Sequence, residues 1–233
     1  MPKVIALGTN TDPYQPIEAD YRITRSILEV CLEARNPVSI TTKSDRVLAD
    51  TDLLGQMARH DLVAVALSVT TLDGAMARTL EPRAVAPRKR LAAIRALSEA
   101  GVPTHINVSP VIPAITDHEI EALVTAGAEA GALSASYIPV RLPHEIAPLF
   151  RAWLDAHFPD RAAKVMTIIQ QMRNGRDNDP DFGSRMRGSG PWADLIRTRF
   201  RLAVKRAGLN QHRWVLDTSR FRAPADGMQG ELF

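Results

Sequence analysis

Polar side chains follow each of five short, mostly apolar runs in the first 140 residues. They comprise hydroxyls, amides and cations, in chain order Thr9–Asp12, Lys43–Ser44, Ser68–Thr71, Asn107–Ser109 and Arg141. In parallel α/β folds, ligands bind at the carboxyl ends of the strands, where such residues would meet. Together these groups could bind a polar ligand with a carboxylate, an amine and a ribose. Taken singly, each residue is more typical of an ordinary turn after a strand.

Lys43 could act chemically in two ways. If desolvation lowered its pKa, the amine could form a Schiff base with a carbonyl substrate. If it stayed charged, it could instead bind an anion. On sequence alone, neither role is favoured over that of an ordinary exposed lysine.

Other catalytic and metal-binding motifs are missing from the sequence. There is no phosphate-binding P-loop and no dinucleotide-binding glycine motif after a strand, and the six histidines lack metal-ligand spacing. The one cysteine, Cys31, falls on an apolar helical stripe, so we expect it to be buried. A single thiol cannot form a disulfide within the chain, and the cytoplasm is the expected compartment.

The apolar runs predict strands separated by amphipathic helices. The predicted strands are Val4–Leu7, Val38–Thr42, Leu62–Ser68, Thr104–Ser109 and Ser134–Ile138. They show no sharp alternation, so we expect both faces of the sheet to be covered. Alternating strands and helices predict a parallel sheet with right-handed crossovers. A doubly wound sheet and a barrel both satisfy this pattern.

Three predicted helices have recognisable features. A stripe that includes Ile23, Ile27 and Val30 predicts an inward-facing helix over residues 20–35. Pro87 is expected in the first turn of another helix. Residues 116–119 fit a capping box at the start of a third helix.

Beyond Arg141 the pattern becomes helical. Residues 145–157, 161–174 and 191–207 predict three further helices. We therefore expect residues 1–140 to form a partial barrel and residues 141–233 a helical extension packed on it. No apolar run is long enough to span a bilayer, and no contact with a membrane is expected.

Positive charge is concentrated in the extension. Residues 173–222 contain 11 Arg and one Lys against five Asp, a net charge of +7, whereas the whole chain carries +3. Such a segment could contact phosphates or nucleic acid. Arginines on solvated helix faces would produce the same composition.

Several segments, in the expected order along nearly the whole chain, resemble one known family. They include residues 4–18, 40–44, 67–71, 80–83, 108–113 and 181–188. These segments are similar to radical S-adenosylmethionine (SAM) proteins related to spore photoproduct lyase, the DNA-repair-photolyase-like bacterial subgroup. The resemblance implies an α/β fold, a partial parallel (β/α) barrel of radical SAM type that binds SAM at the strand carboxyl ends.

The same resemblance implies cofactors and an activity. Family members hold a 4Fe–4S cluster through a Cys-x-x-x-Cys-x-x-Cys loop, and SAM chelates the remaining iron. An electron from a reducing donor then cleaves SAM to a deoxyadenosyl radical, which abstracts hydrogen from the substrate. The substrate is unknown, and nucleic acid is the expectation from the basic segment.

The resemblance also implies roles for five residues. Thr11 and Asp12 would lie near the methionyl part of SAM, and Lys43 would pair with its carboxylate. Ser68 would hydrogen-bond the methionyl or ribose portion, and Ser109 would line the pocket nearer the adenine. Three further family residues have no assigned role: Glu81, Arg83 and Arg90.

The missing cysteine triplet is the main departure from the family. The first strand here corresponds to the family's second, so we expect the first βα unit, with its three thiolates, to be absent from this chain. The chain would then be a fragment or a degenerate paralogue, inactive alone, and poorly soluble or marginally stable because a strand edge is exposed. The alternatives are a non-radical barrel enzyme that uses Lys43 on a phosphorylated or carboxylated metabolite, and a non-catalytic nucleic-acid-binding remnant.

Overall fold

Five parallel strands form one sheet in the computed structural model, which describes residues 2–212 and 215–223. Arg213 of the basic segment and residues 224–233 of the predicted extension lie outside the described residues. All five predicted strands are confirmed, and the fourth continues two residues past its predicted end. The strands are β1 Ile5–Leu7, β2 Val38–Thr42, β3 Val63–Ser68, β4 Thr104–Val111 and β5 Ser134–Pro139.

Nine α-helices accompany the sheet in the described residues. Six lie in the first 140 residues: α1 Glu18–Tyr21, α2 Ile23–Glu33, α3 Thr51–Ala58, α4 Gly74–Leu80, α5 Pro87–Glu99 and α6 Ile120–Glu129. Three follow β5: α7 Ile146–His157, α8 Pro159–Gln171 and α9 Gly190–Arg206. The helices predicted after residue 141 are therefore confirmed, and Pro87 begins α5 as expected.

The strand order distinguishes a barrel from a doubly wound sheet. The strands lie side by side in chain order from β1 to β5, and every neighbouring pair is parallel. Right-handed crossovers in an unreversed order place the helices on one face, whereas a doubly wound sheet needs a reversal of order. The sheet is therefore of barrel type but open, with β1 and β5 at its two edges.

The two faces of the sheet differ, whereas the sequence predicted that both are covered. In β4, Ile106 and Val108 are buried, while His105 and Asn107 are partly exposed. Helix α6 lies so close to the apolar face that a Cβ on Gly127 would come within 2.6 Å of the Ile106 side chain. The opposite face carries small and polar residues and is open, because none of the described helices covers it.

Two apolar clusters stabilise the fold. The larger one lies between the apolar face of the sheet and the helices, and includes residues of α9, which packs on α6. The smaller one joins the carboxyl ends of β4 and β5 to α7 and α8, through Ile112, Val140, Phe150 and Ile169.

The apolar stripe predicted on the first helix is only partly buried. Arg22 adopts a left-handed conformation at φ 51° and separates α1 from α2. Within α2, Leu28 and Cys31 are buried as expected for Cys31, but Ile23 and Val30 are exposed. The reason is that β1 is an edge strand, and within residues 2–212 and 215–223 no strand or helix lies beyond it. We define the β1-edge surface as the exposed apolar residues there: Val4, Ile5, Tyr21, Ile23, Ile27 and Val30.

A search of the described helices found none with the length and apolar character needed to cross a membrane.

Candidate functional site

Asp12 ties the loop after β1 to the end of β2. Its carboxylate accepts hydrogen bonds from the Thr42 hydroxyl at 2.7 Å, the Lys43 backbone N–H at 2.8 Å and the Tyr14 backbone N–H at 2.9 Å. These three bonds occupy much of the acceptor capacity of Asp12. Asp12 therefore positions Lys43, whereas Thr11 lies exposed in the same loop.

Gly8 is required where β1 enters this loop. Its φ is +90°, and a Cβ there would lie 1.9 Å from the backbone carbonyl oxygen of Thr41. A side chain would both strain the backbone and push β1 away from β2. The ends of β1 and β2 can therefore approach this closely only because residue 8 is a glycine.

Lys43, Glu81 and Arg90 form an ion network at the carboxyl ends of β2 and β3. The Lys43 ammonium lies 2.7 Å from one Glu81 oxygen, and the Arg90 guanidinium lies 2.8 Å from the other. Arg90 is 1% exposed and also donates to the Ser68 backbone carbonyl at 3.0 Å. Burial acts to raise the pKa of Glu81, but the cations of Lys43 and Arg90 together hold it below its ordinary value.

Thr70 links this network to the end of β4. Its hydroxyl lies 2.9 Å from the Ser109 backbone carbonyl oxygen and 3.2 Å from Glu81. The Ser109 backbone is therefore held beside the ion network, while the Ser109 side chain stays on the partly exposed face.

A hydrogen-bonded chain crosses the open face of the sheet from β5 to β3. His105 Nε2 lies 2.6 Å from the Ser136 hydroxyl, which donates to Asn107 Oδ1 at 3.1 Å. The Asn107 amide N–H donates to the Ser68 hydroxyl oxygen at 3.2 Å. The second ring nitrogen of His105, Nδ1, lies 2.7 Å from the Ser134 hydroxyl.

These contacts assign the direction of each bond. Because Ser136 uses its proton toward Asn107, it must accept from an Nε2–H of His105, and Nδ1 accepts from Ser134. Burial lowers the pKa of His105 from 6.5 to about 4, which keeps the ring neutral near pH 7. Ser68 accepts from Asn107 and donates to no acceptor in the part of the chain that the structure describes, so its hydroxyl proton is available to a ligand.

The capping box predicted at residues 116–119 is wrong. The Thr116 hydroxyl accepts from the Ile112 backbone N–H at 2.9 Å, and no side-chain cap bond forms at that helix start. Glu119 instead accepts from the Thr71 hydroxyl and from the Leu72 backbone N–H at 2.7 Å. A tertiary contact to the end of β3 thus replaces the local cap.

The structure places Lys43 and Ser68 in one connected network. The backbone of Ser109 is joined to this network through Thr70, and Asp12 binds the backbone N–H of Lys43. Thr11 makes no side-chain hydrogen bond to that network among the described residues. Sequence reasoning found Asn107 only as a polar residue at the end of a strand, and it missed His105. Their signal was the i, i+2 spacing of polar residues within an otherwise apolar strand, which marks one face.

With this geometry established, comparison with known proteins identifies the family. Residues 2–126 match the protein-family model of the radical SAM superfamily. The chain belongs to the radical SAM superfamily. The resemblance stated from the sequence is thereby confirmed.

Two relatives and one solved structure extend this result. An uncharacterized protein of Mycobacterium tuberculosis (strain H37Rv) is 32% identical over 171 residues, which cover 72% of this chain and 50% of the relative. An uncharacterized protein of Methanocaldococcus jannaschii is 35% identical over 115 residues, covering 49% of this chain and 43% of the relative. This radical SAM chain thus spans half or less of the length of these relatives.

The solved structure is that of a spore photoproduct lyase variant, with a TM-score of 0.53 and 16% sequence identity. The match covers 89% of this chain and 60% of the other. At this identity the likeness concerns the fold, which is that of the superfamily.

The superfamily implies SAM and a 4Fe–4S cluster, and the two differ in how they fit this chain. The cluster needs three thiolates, whereas the sequence contains only Cys31, which is buried and whose pKa is raised by burial. In the described residues, no three His, Cys, Asp or Glu side chains are placed to hold a metal. The residues therefore do not fit the cluster. SAM fits better, because the Lys43 side chain is 40% exposed and the Ser68 hydroxyl donates to no acceptor among the described residues.

Proposed function

We propose that this chain is the larger, C-terminal part of a radical SAM enzyme that forms the SAM site, with the cluster thiolates supplied from outside this sequence. In this proposal Lys43 and Ser68 would hold SAM, and SAM bound next to an externally ligated cluster would supply radical chemistry. The observation that carries the proposal is the connected network of Lys43, Glu81, Arg90 and Ser68 at the carboxyl ends of β2 and β3. Superfamily membership supports it.

In this proposal the chain's own residues bind and orient SAM. Lys43 binds the methionyl carboxylate and is held in place by the bond from its backbone to Asp12. Ser68 donates its free proton to the methionyl or ribose portion. Thr11 lies at the methionyl end, and Ser109 lines the adenine side.

The β1-edge surface supports a thiolate source outside this sequence. A strand paired with the free edge of β1 and a helix packed on Ile23, Ile27 and Val30 would bury apolar area that is now exposed. A parallel strand at this edge would end beside the loop that contains Gly8 and Asp12. Its following loop would therefore bring its side chains next to Lys43.

Two measurements test the proposal. Isothermal titration of SAM into the 233-residue chain is expected to show binding that Lys43→Met weakens by about tenfold or more, from loss of a charge-assisted contact. Lys89→Met is the matched control, because Lys89 is exposed and lies 3.9 Å from Asp45, outside the network. Equal effects of the two substitutions would contradict the assignment of Lys43.

The second measurement is the intact mass of the protein from its source cells, together with anaerobic iron reconstitution. A mass above 25.6 kDa with on the order of four bound irons per chain would support an external thiolate segment in the same polypeptide. A protein of 25.6 kDa that binds no iron, alone or with any cell-derived partner, would remove the radical activity.

Nucleic acid is the substrate class that we propose, with a separate electron donor as the second partner. The support is the net charge of +7 over residues 173–222. Affinity for an oligonucleotide that falls steeply with salt concentration is the expected result. Absence of binding at low salt would remove this substrate class without affecting the SAM site.

The alternative of a Schiff-base enzyme has less support. Such a lysine needs an uncharged, desolvated amine, whereas Lys43 forms a close ion pair with Glu81 and is partly exposed. Borohydride trapping of Lys43 with an aldehyde would be needed to favour it.

A further inference from the structure

The loop between α8 and α9 packs over the carboxyl end of β5. Arg173 at the end of α8 is 1% exposed and donates to the Val140 backbone carbonyl at 3.3 Å and to the Arg185 backbone carbonyl at 2.7 Å. Val140 directly precedes Arg141. These bonds place the backbone of Arg185 and the residue before Arg141 against the Arg173 guanidinium. We call Arg141, Arg173 and Arg185 the three-arginine cluster.

The cluster contains polar atoms that have no partner. Among the described residues, five buried side-chain nitrogen or oxygen atoms lack a hydrogen bond, and four of them lie in this region. Three of these four are the Nε atoms of the cluster arginines, and the fourth is Asn178 Oδ1. Buried donors are nearly always satisfied by protein, water or a ligand, so three unpaired Nε–H groups in one region call for an acceptor supplied by water or by a ligand.

Carboxylates in the same loop do not neutralise the cluster. None of the ion pairs within the described residues includes Arg141, Arg173 or Arg185, so no carboxylate oxygen lies within 4 Å of their guanidinium nitrogens. Asp177 pairs with Arg151 at 2.7 Å, and Asp179 accepts from the Ser184 hydroxyl. Asp179 attracts Arg173 only at longer range, and Arg141 repels Arg173.

An aromatic ring lies beside the cluster. Phe182 is 81% exposed, and the Arg185 guanidinium carbon lies 4.3 Å from its ring centroid. One face of this ring is thus supported by a cation, as in sites where a flat group stacks on an aromatic residue.

We infer that the three-arginine cluster binds a phosphate oxyanion of the substrate at the carboxyl end of β5. Guanidinium groups match the oxygen geometry of phosphate, and an oxyanion would satisfy the buried Nε–H donors. The site lies at the same edge of the sheet as Lys43 and Ser68, so a phosphate anchored here would position a substrate at the barrel mouth. Oxyanion binding stands on its own, whereas its role in substrate positioning rests on the proposed function.

The phosphate could belong to a small phosphorylated molecule or to a nucleic-acid backbone, and two probes distinguish these sources. The first is inorganic phosphate, whose binding is measured as a rise in the unfolding temperature of the 233-residue chain. The second is a fluorescein-labelled oligothymidylate, whose binding is measured by fluorescence anisotropy over a range of salt concentrations.

The variants are Arg141→Gln and Arg185→Gln, with Arg201→Gln as the matched control. Arg201 lies exposed on α9, in the same basic segment, and its replacement removes the same charge. Each cluster variant is expected to weaken probe binding by about tenfold and the control by less than about twofold. Arg173 itself is not replaced, because it also binds two backbone carbonyls that hold the loop in place, and its loss could disrupt the loop structure.

The outcomes separate clearly. Specific loss of oligothymidylate binding supports the site and assigns it to a nucleic-acid backbone. If the cluster variants lose only the rise in unfolding temperature caused by phosphate, and oligothymidylate binding is unaffected, the site is supported for a small phosphorylated molecule. If the cluster variants match Arg201→Gln with both probes, or neither probe binds, the inference is wrong. SAM titration of the same variants is expected to be unchanged, so this failure is distinct from failure of the SAM site.

Discussion

Lys43 and Glu81 are 38 positions apart in the chain, yet the Lys43 ammonium lies 2.7 Å from the Glu81 carboxylate. Because the other oxygen of Glu81 binds the buried guanidinium of Arg90, one carboxylate connects an exposed cation to a buried one. The two contacts have different consequences. The contact with Arg90 compensates a buried charge, whereas the contact with Lys43 holds a partly exposed ammonium at the rim.

Glu81→Gln is expected to destabilise the chain more than Lys43→Met. The first change leaves Arg90 buried without its carboxylate, which costs about 3 kcal/mol, and the second removes an exposed partner at a cost below about 1 kcal/mol. Urea unfolding measures both values. For SAM affinity the opposite order is expected, and Lys43→Met should weaken binding more than Glu81→Gln, because it removes the ammonium itself. Equal losses of stability would show that Arg90 does not depend on Glu81.

Stability is expected to fall as the pH decreases from about 6.5 to about 4, because of His105. Burial holds the folded-state pKa of His105 at about 4, whereas the unfolded chain binds the proton near pH 6.5. As the pH falls, the unfolded state therefore binds a proton before the folded state does. The resulting loss of unfolding free energy reaches about 3 kcal/mol near pH 4. The folded-state pKa of Glu81 is also lowered, so its contribution is present above about pH 4.5 and is lost only at lower pH.

Urea unfolding of wild-type protein and His105→Gln over this pH range isolates the histidine. The difference in unfolding free energy between the two proteins should be constant above pH 6.5 and decrease below it. Parallel pH curves would contradict the buried, neutral state of His105.

Gly8→Ala is expected to disrupt the junction between the carboxyl ends of β1 and β2. The new Cβ would overlap the Thr41 carbonyl oxygen, and the backbone at φ +90° would be strained as well. Gly101→Ala is the control, because its φ is +77° but nothing lies within 4 Å of the added carbon. Strain alone costs about 1 kcal/mol, and the overlap at Gly8 adds about 1–3 kcal/mol. Similar losses of unfolding free energy for the two variants would rule out the overlap.

Charges on the β1-edge surface are expected to make the isolated 233-residue chain more soluble. Ile23→Lys and Val30→Lys place a charge on exposed apolar positions, so they should reduce self-association without loss of helical structure. Leu149→Lys, on an equally exposed position of α7, is the control and should have a smaller effect. Sedimentation velocity and circular dichroism measure the two properties. If the control improves solubility as much, the β1-edge surface is not the cause of association.

If a strand and a helix cover this surface in a longer native protein, the same two substitutions are expected to lower the stability of that protein. Their effect on the unfolding temperature should then change from near zero in the isolated chain to a clear decrease. No decrease in the longer protein would show that the surface stays open.

Local patterns were enough to identify the elements and the residues that follow them. Short β-branched runs predicted all five strands within two residues, because strand propensity and burial depend on neighbouring positions in the chain. The polar residues after each strand, including Lys43 and Ser68, were found for the same reason. The sequence also limits the cluster chemistry outright, since one cysteine cannot supply three thiolates.

Only the tertiary structure decided which of these elements meet. The order of the strands placed the helices on one face and left the other open. On that face, His105, Ser136, Asn107 and Ser68 form a connected chain across three strands. The stripe on α2 could not reveal that Ile23 is exposed, because a periodic pattern marks an apolar face but not whether a neighbour covers it. The contacts of Glu81 and Glu119 join positions dozens of residues apart, and such contacts depend on the path of the backbone rather than on local spacing.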